Sequence, residues 1–362
     1  MKIALVDNLP EGGAKRVVFE QLKYLSKKHQ VEYYSHKQKS IFPFEKYAKQ
    51  VFRFQLESPE YQGLLRPLKE LWLLTDMRQS YKQMAETINR SEAEVVIVHP
   101  CKHTQAPGVL RFLRKPGVYY LEETLRIVYE PDLHQLEVRG VKRIYEQFRR
   151  LLIKKVDKFN LSKADKLLTN SKFTAEQIKA SYQRQAEVIY LGVDDQVFKP
   201  KPKIKKKHFL FIGEKKDIND YPLLAEALAR LGSEFKVKYV EFRNKGFKLS
   251  DRALIKLYQK SWAVLCLSKN ETFGLTAIEA MACGVGVIAV NEGSHRETVI
   301  DGKTGLLVKR EVDELVKAMK LLKKDEKLRD KLGKQGREHV KKNFSWQKHG
   351  VRLEKSLQSI LG

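Results

Sequence analysis

The chain reads as an α/β protein with two parallel-sheet domains in series. Three observations carry that reading. Short apolar runs recur, each followed by a helical pattern: Ile3–Val6 and Val95–Val98 in the first half, His208–Gly213 and Trp262–Leu267 in the second. Strand alternating with helix is the signature of a parallel sheet. A Pro- and Lys-rich stretch, Phe198–Lys207, separates the two series. The 362 residues are enough for two domains of ordinary size. The expected boundaries are 1–197 for the first domain, 208–344 for the second and 345–362 for a last helix.

In the first series, residues 2–6 make a strand and Pro10–Gly13 a loop. Val17, Val18, Leu22 and Leu25 then recur at helical spacing over Ala14–Ser26. A strand, a Gly12-Gly13 loop and a helix suit a phosphate. Glycine lets backbone come close, and the helix start favours negative charge. Val31–Ser35 is the next strand. From Lys37 to Arg90 the pattern is less regular, with Phe42, Phe44, Tyr47, Val51, Phe52 and Phe54 among Lys46, Lys49 and Arg53. Rings on a basic face suit a membrane interface. They also suit a helix packed on the sheet. Val95–Val98 ends in His99-Pro100, and Val118–Leu121 ends in Glu122-Glu123. Arg139–Phe159 reads as a long helix with Val141, Ile144, Tyr145, Phe148, Leu152 and Val156 along one side. Thr174–Gln177 reads as a capping box opening the next helix.

The second series has strands at His208–Gly213 and Val237–Phe242 and helices at Tyr221–Leu231 and Ser250–Lys260. The most informative segment follows, Ser268–Val308. Glu271 falls in the loop after the strand Trp262–Leu267, where open α/β sheets bind ligands. Glu279 falls eight positions on, about two turns along the following helix and on its Glu271-facing side. A helix start offers N–H groups to an anion, and a nearby carboxylate can hold sugar hydroxyls. Together they suit a nucleotide sugar.

This segment resembles the family-4 retaining glycosyltransferases. Glu271, Phe273-Gly274-Leu275, Glu279, Ala280–Gly284 and Asp301–Val308 carry the resemblance. Gly12-Gly13-Ala14, Asn170-Ser171-Lys172, Tyr190–Asp194 and Phe198-Lys-Pro200 extend it. It implies the GT-B fold: two Rossmann-like domains facing a cleft, with a C-terminal helix crossing back onto the first domain. It further implies transfer of a sugar from a nucleoside-diphosphate donor, with retention, to a glycan or lipid-linked acceptor. Glu271 would hydrogen-bond the donor sugar, and Glu279 the ribose. Backbone at Gly12, Gly13, Phe273, Gly274 and Leu275 would receive the leaving diphosphate.

Three positions depart from the family pattern. The usual Gly-Arg reads Gly213-Glu214, and the lysine after it reads Asn219 if no gap is allowed. Lys215 and Lys216 are the candidate substitutes for the missing diphosphate cations. The histidine after the strand ending at Leu121 is replaced by Glu122. That carboxylate can take over its hydrogen bond to a sugar, and His99 lies beside it as a further catalytic candidate. The competing expectation is a glycosyltransferase-like binding subunit with weakened or lost catalysis.

Composition sets the remaining bounds. Lys and Arg number 70 against 44 Asp and Glu, a net charge of +26. Such a field attracts polyanions. No zinc-finger, RNP or KH pattern is present, so nucleic acid ranks last. An anionic membrane surface and plain solubility remain as alternatives. No leader peptide is read at Ile3–Val6, and no apolar run approaches the roughly 18–20 residues of a bilayer span. The three cysteines, Cys101, Cys266 and Cys283, read as reduced packing residues. No Cys/His or Asp-x-Asp pattern suggests a metal, so none is expected as cofactor. The expected location is cytoplasmic, with peripheral contact to the inner face of the membrane.

Overall fold

The computed structural model describes residues 1–36, 40–56, 72, 75–133, 139–201, 204–215, 219–241 and 249–362. The chain divides into two compact units. The first comprises Met1–Thr169, Thr174–Ile189 and Gly350–Gly362, the second Asn170–Phe173 and Tyr190–His349.

The first unit holds a parallel sheet of seven strands in the order β3-β2-β1-β4-β5-β6-β7. They are β1 (Lys2–Asn8), β2 (Gln30–Ser35), β3 (Gln50–Arg53), β4 (Val95–Cys101), β5 (Gly117–Leu121), β6 (Lys166–Thr169) and β7 (Glu187–Val188). β1 pairs with β2 through Ile3↔Val31 and with β4 through Ile3↔Val95. Helices cover both faces of such a sheet, so its central strands are apolar throughout. Val95, Val96, Ile97 and Val98 are all fully buried. The helices are α1 (Gly13–Leu25), α2 (Asp76–Arg90), the short α3 (Arg126–Tyr129), α4 (Val141–Leu161) and α5 (Lys172–Tyr182), whose Lys172 and Phe173 belong to the second unit.

The second unit holds five parallel strands, ordered β12-β11-β10-β8-β9. They are β8 (His208–Ile212), β9 (Val237–Val240), β10 (Ser261–Cys266), β11 (Val287–Val290) and β12 (Gly305–Val308). Its helices are α6 (Tyr221–Ala229), α7 (Asp251–Gln259), α8 (Leu275–Ala282), α9 (His295–Thr298), α10 (Val312–Lys324) and α11 (Glu326–Asn343). The last helix, α12 (Trp346–Leu361), begins in this unit, and its residues from Gly350 on belong to the first. There Tyr24 and His29 meet Glu354, and Lys166 donates to Ser359. All three cysteines are buried and unbridged.

Four expectations are corrected. The aromatic stretch after β2 is not a helix. It is a 3-10 turn, Phe44–Lys46, followed by edge strand β3. Phe44 stacks on Tyr33 and Phe52 on Tyr34, so ring-on-ring packing along the sheet replaces a helical face. β4 runs through His99 and Pro100 instead of ending before them. α5 starts at Lys172, which puts Thr174 inside its first turn and not at its cap. The N–H groups of Lys172 and Phe173 donate to the Glu297 carboxylate at 2.9 and 2.8 Å, which does the capping. The orientation of α4 is also reversed over its first half. Val141, Ile144 and Phe148 are exposed by 82%, 67% and 62%. The packed side is held largely by polar anchors. Asp157 accepts from the Ala106 N–H at 2.9 Å and from Tyr182 Oη at 2.7 Å, and Asn160 donates to the Ala106 carbonyl at 2.7 Å.

Candidate active site

Ligands of open α/β sheets lie at the carboxyl ends of strands where the strand order reverses. In the first unit that point lies between β1 and β4. Gly12 caps α1 at φ 152, a conformation that favours glycine, and a Cβ there would meet no atom within 4 Å. The space over the loop is therefore open to a ligand, and Gly13 begins the helix beneath it. Below the loop lies a buried charge network. Lys15 Nζ donates to both oxygens of Asp7 at 2.7 Å and to Tyr33 Oη at 2.7 Å, and both charged side chains are wholly buried. Ser35 Oγ donates to Asp7 at 3.1 Å.

His99 is wholly buried beside this network, with Nε2 and Gln21 Oε1 2.8 Å apart. Its Nδ1 lies 3.6 Å from Glu122 Oε1. Burial pushes the Glu122 carboxyl up to about 8, and the charge of Asp7 adds to that shift. Burial pushes His99 down to about 4. Burial thus favours the neutral form of both groups, and a protonated Glu122 could donate an O–H bond. The structure thus brings His99 and Glu122 together, with His99 behind Glu122.

In the second unit the order reverses between β8 and β10. The chain leaves β10 through Asn270, whose φ is 49, and enters α8 through Gly274, whose φ is 82. These two left-handed residues aim the loop, and the Gly274 N–H donates to Glu271 Oε1 at 3.2 Å. Helical periodicity counts only from Leu275. Glu279 is therefore just over one turn into α8, not the expected two. Glu279 is buried and accepts from Tyr258 Oη at 2.8 Å. Phe273 is a core side chain against Tyr190 and Phe344 and offers a ligand only its backbone. The loop after β11 fixes Glu271 from behind. The Ser294 N–H donates to the Glu271 carbonyl at 2.9 Å, and a Cβ on Gly293 would sit 2.7 Å from that oxygen.

Two similarities bear on this geometry. Residues 11–197 match the family described as Glycosyltransferase Family 4, and residues 243–339 match Glycosyl transferases group 1. The chain belongs to glycosyltransferase family 4. Among curated relatives, an uncharacterized glycosyltransferase of Methanocaldococcus jannaschii is 30% identical over 56% of this chain and 62% of its own length. The alpha-1,3/1,6-mannosyltransferase of Dictyostelium discoideum is 26% identical over 61% of this chain and 66% of its own. The chain thus spans less than two thirds of the length of these relatives. Among solved structures, sucrose-phosphate synthase from Thermosynechococcus elongatus superposes with a TM-score of 0.77 at 17% identity, covering 99% of this chain and 98% of that one. Anabaena HepE, solved with UDP-glucose, gives 0.73 at 17%, covering 99% and 100%. These likenesses show the fold, which is GT-B.

Asn219, the residue expected at the family's lysine position if no gap is allowed, uses its amide inside the loop. Oδ1 accepts the Glu214 N–H at 3.0 Å, and Nδ2 donates to Ser268 Oγ at 3.2 Å. Lys215 is exposed and leans toward edge strand β9, with Nζ 5.6 Å from the Tyr221 ring centre and 5.0 Å from that of Tyr239. Lys216 lies outside the described residues.

Sequence reasoning missed two groups at this edge. His295 is buried with its ring against Gly274, and burial lowers its pKa against the opposing pull of Glu271. Arg310 pairs with Asp220 and Glu292 and donates to the Leu267 carbonyl at 3.0 Å. No sequence signal singled out either residue. Among the described residues no group of three His, Cys, Asp or Glu could hold a metal.

Proposed function

We propose that this protein transfers a sugar from a nucleoside-diphosphate donor to a glycan or lipid-linked acceptor with retention of configuration. The observation that carries the reading is the loop and helix after β10. Glu271, the left-handed Gly274 and the start of α8 join a sugar-binding carboxylate to an anion-binding helix end. Glu271 holds the donor sugar, and Glu279 holds the ribose. The backbone of Phe273, Gly274 and Leu275, with that of Gly12 and Gly13, receives the departing diphosphate, assisted by Lys215 and Lys216. Glu122, carrying its proton, donates a hydrogen bond to the donor sugar, and His99 positions it from behind. The acceptor attacks from the side the leaving group vacates, so no carboxylate nucleophile is required. The domain organisation we adopt is 1–197, 208–344 and a crossover helix 345–362. The setting is cytoplasmic, with an anionic membrane surface as a partner.

The test is a calorimetric screen of nucleoside diphosphates, followed by mass spectrometry and anomeric NMR of products from the donors that bind. No affinity for any nucleoside diphosphate overturns the proposal. A second reading, a binding subunit with weakened catalysis, draws on Asn219, whose amide serves the loop and brings no charge. Tight donor binding without turnover would select it.

A further inference from the structure

Helix α4 turns an apolar side to solvent. Val141, Ile144, Phe148 and Leu151 recur at three- and four-residue steps, which places them on one line, and each is more than half exposed. Phe159 continues the line two turns on and is half exposed. The opposite side is the packed one, with Glu146, Ile153, Asp157 and Asn160 buried. Single exposed apolar residues need no explanation, but a continuous stripe of large ones marks a docking surface.

The charge on the helix says what docks there. α4 carries seven basic residues against two acidic ones. Both acids are engaged on the packed side: Glu146 pairs with Arg149, and Asp157 anchors Ala106 and Tyr182. Lys142, Arg143, Lys155 and Lys158 are exposed. An apolar stripe rimmed by Lys and Arg is complementary to a lipid surface with anionic headgroups over an acyl interior. A second copy suits it less, because two such faces would press like charges together.

We propose that the outward side of α4 docks the protein on an anionic membrane, with Val141, Ile144, Phe148 and Leu151 sunk to the acyl boundary and the lysines and arginines on the headgroups. The inference deepens the membrane part of the proposed function and rests on it. It does not rest on the transfer reaction.

The test is vesicle co-sedimentation with phosphatidylcholine alone and with phosphatidylcholine mixed with phosphatidylglycerol, at low and high salt. The chains are wild type, the double variant Ile144→Glu/Phe148→Glu and the control Leu321→Glu, an exposed apolar residue in the second unit. Each is first shown to keep the wild-type unfolding transition. Wild type and control are expected to bind mixed vesicles at low salt and to release at high salt. The double variant is expected to lose about tenfold or more in partitioning. If wild type ignores anionic vesicles, the membrane reading fails and this surface with it. If wild type binds and the double variant binds equally, the membrane reading stands and the α4 surface is overturned. If the double variant changes only the oligomeric state in sedimentation velocity, the stripe is a contact between copies, which also overturns the proposal.

Discussion

The ligand edges of the two units are built in opposite ways. In the first unit the edge rests on buried charge: Lys15 and Asp7 pair with no solvent exposure, and beside them lie His99 and Glu122, whose neutral forms burial favours. In the second unit the edge is shaped by backbone. Left-handed turns at Asn270 and Gly274 aim a loop in which the Glu271 carboxylate accepts the Gly274 N–H. A buried ion pair gains little net stability, yet losing one partner is costly, because the other charge is stranded. A backbone turn carries no such liability. Substitutions at the first edge should therefore register as lost stability, and those at the second as lost affinity.

The largest effect that can break this contrast is expected from Lys15→Met. It strands Asp7 among buried groups and should cost the first unit about 3–5 kcal/mol. Hydrogen exchange read by mass spectrometry reports each unit separately, and protection of the second unit should be unchanged. Adding Asp7→Asn should restore much of the loss, because no buried charge then remains. A cost below about 1 kcal/mol for the single variant would mean that water reaches the pair, and the first half of the contrast would fall.

Glu279→Ala comes next and sharpens the other half. Removing a charged hydrogen-bond partner should cost about 1.5–3 kcal/mol of nucleoside-diphosphate affinity, or about tenfold to a hundredfold. Titration calorimetry on the folded variant measures it. Tyr258→Phe separates the two roles of this carboxylate. It deletes the 2.8 Å bond but keeps the charge, so stability should fall by about 1 kcal/mol with a smaller change in affinity. Unchanged affinity in Glu279→Ala would remove Glu279 from the site.

The same contrast explains what was legible in the sequence. At the second edge the sequence could place Glu271, Gly274 and Glu279 close together, because they lie on one short segment, but not His295 and Arg310, which come from later loops. What failed there was the count of helical turns, since Asn270 and Gly274 are not helical. The first edge was read only in pieces. Asp7, Lys15, Ser35, His99 and Glu122 meet only because parallel strands bring distant residues to one sheet end. No local pattern announces a lysine that is wholly buried. Most strands were legible from their apolar runs, but β3, whose aromatic spacing also fits a helix, and the short β6, β7 and β12 were not. The side of α4 that packs was misread for a related reason. Apolar periodicity finds an amphipathic helix, but here Asp157 and Asn160 anchor the side that faces the protein.

A smaller effect concerns pH and the first edge alone. Glu122 is raised from 4.5 to about 8 in the fold, so the folded state holds a proton that the unfolded chain has released. Its contribution is fully present below pH 4.5 and is lost as pH rises through about 8. His99 acts with the opposite sign. It is lowered from 6.5 to about 4, so its contribution is present above pH 6.5 and is lost as pH falls through about 4. The two oppose each other between pH 4.5 and 6.5, and from 6.5 to 8 the Glu122 slope stands alone. Protection of the first unit should decline over that upper window in wild type and stay nearly level in Glu122→Gln. Equal slopes in the two chains would show that Glu122 is ionised in the fold and cannot be the proton-bearing donor proposed here.

The smallest effect is expected from Lys215→Ala, and it asks whether the second edge needs a cation at all. Glu214 and Asn219 are the residues expected at the family's arginine and lysine positions if no gap is allowed, and Asn219 is committed to the loop. Lys215 rests over two tyrosine rings toward β9, an arrangement worth about 0.5–1 kcal/mol at an exposed site. Its pull on a bound diphosphate must exceed that if it is to swing back across β8. An exposed charge contributes about 0.2–1 kcal/mol, so the variant should lose no more than about fivefold in diphosphate affinity. The informative quantity is the ratio of two affinities, nucleoside diphosphate against nucleoside, measured by calorimetry on one preparation. A fall in that ratio, deepened by adding Lys216→Ala, assigns the lysines to the phosphates. A constant ratio means that the start of α8 and its backbone carry the diphosphate alone. In that event the leaving group departs with less stabilisation than the family pattern provides, and the weakened-catalysis reading becomes the better account of the chain.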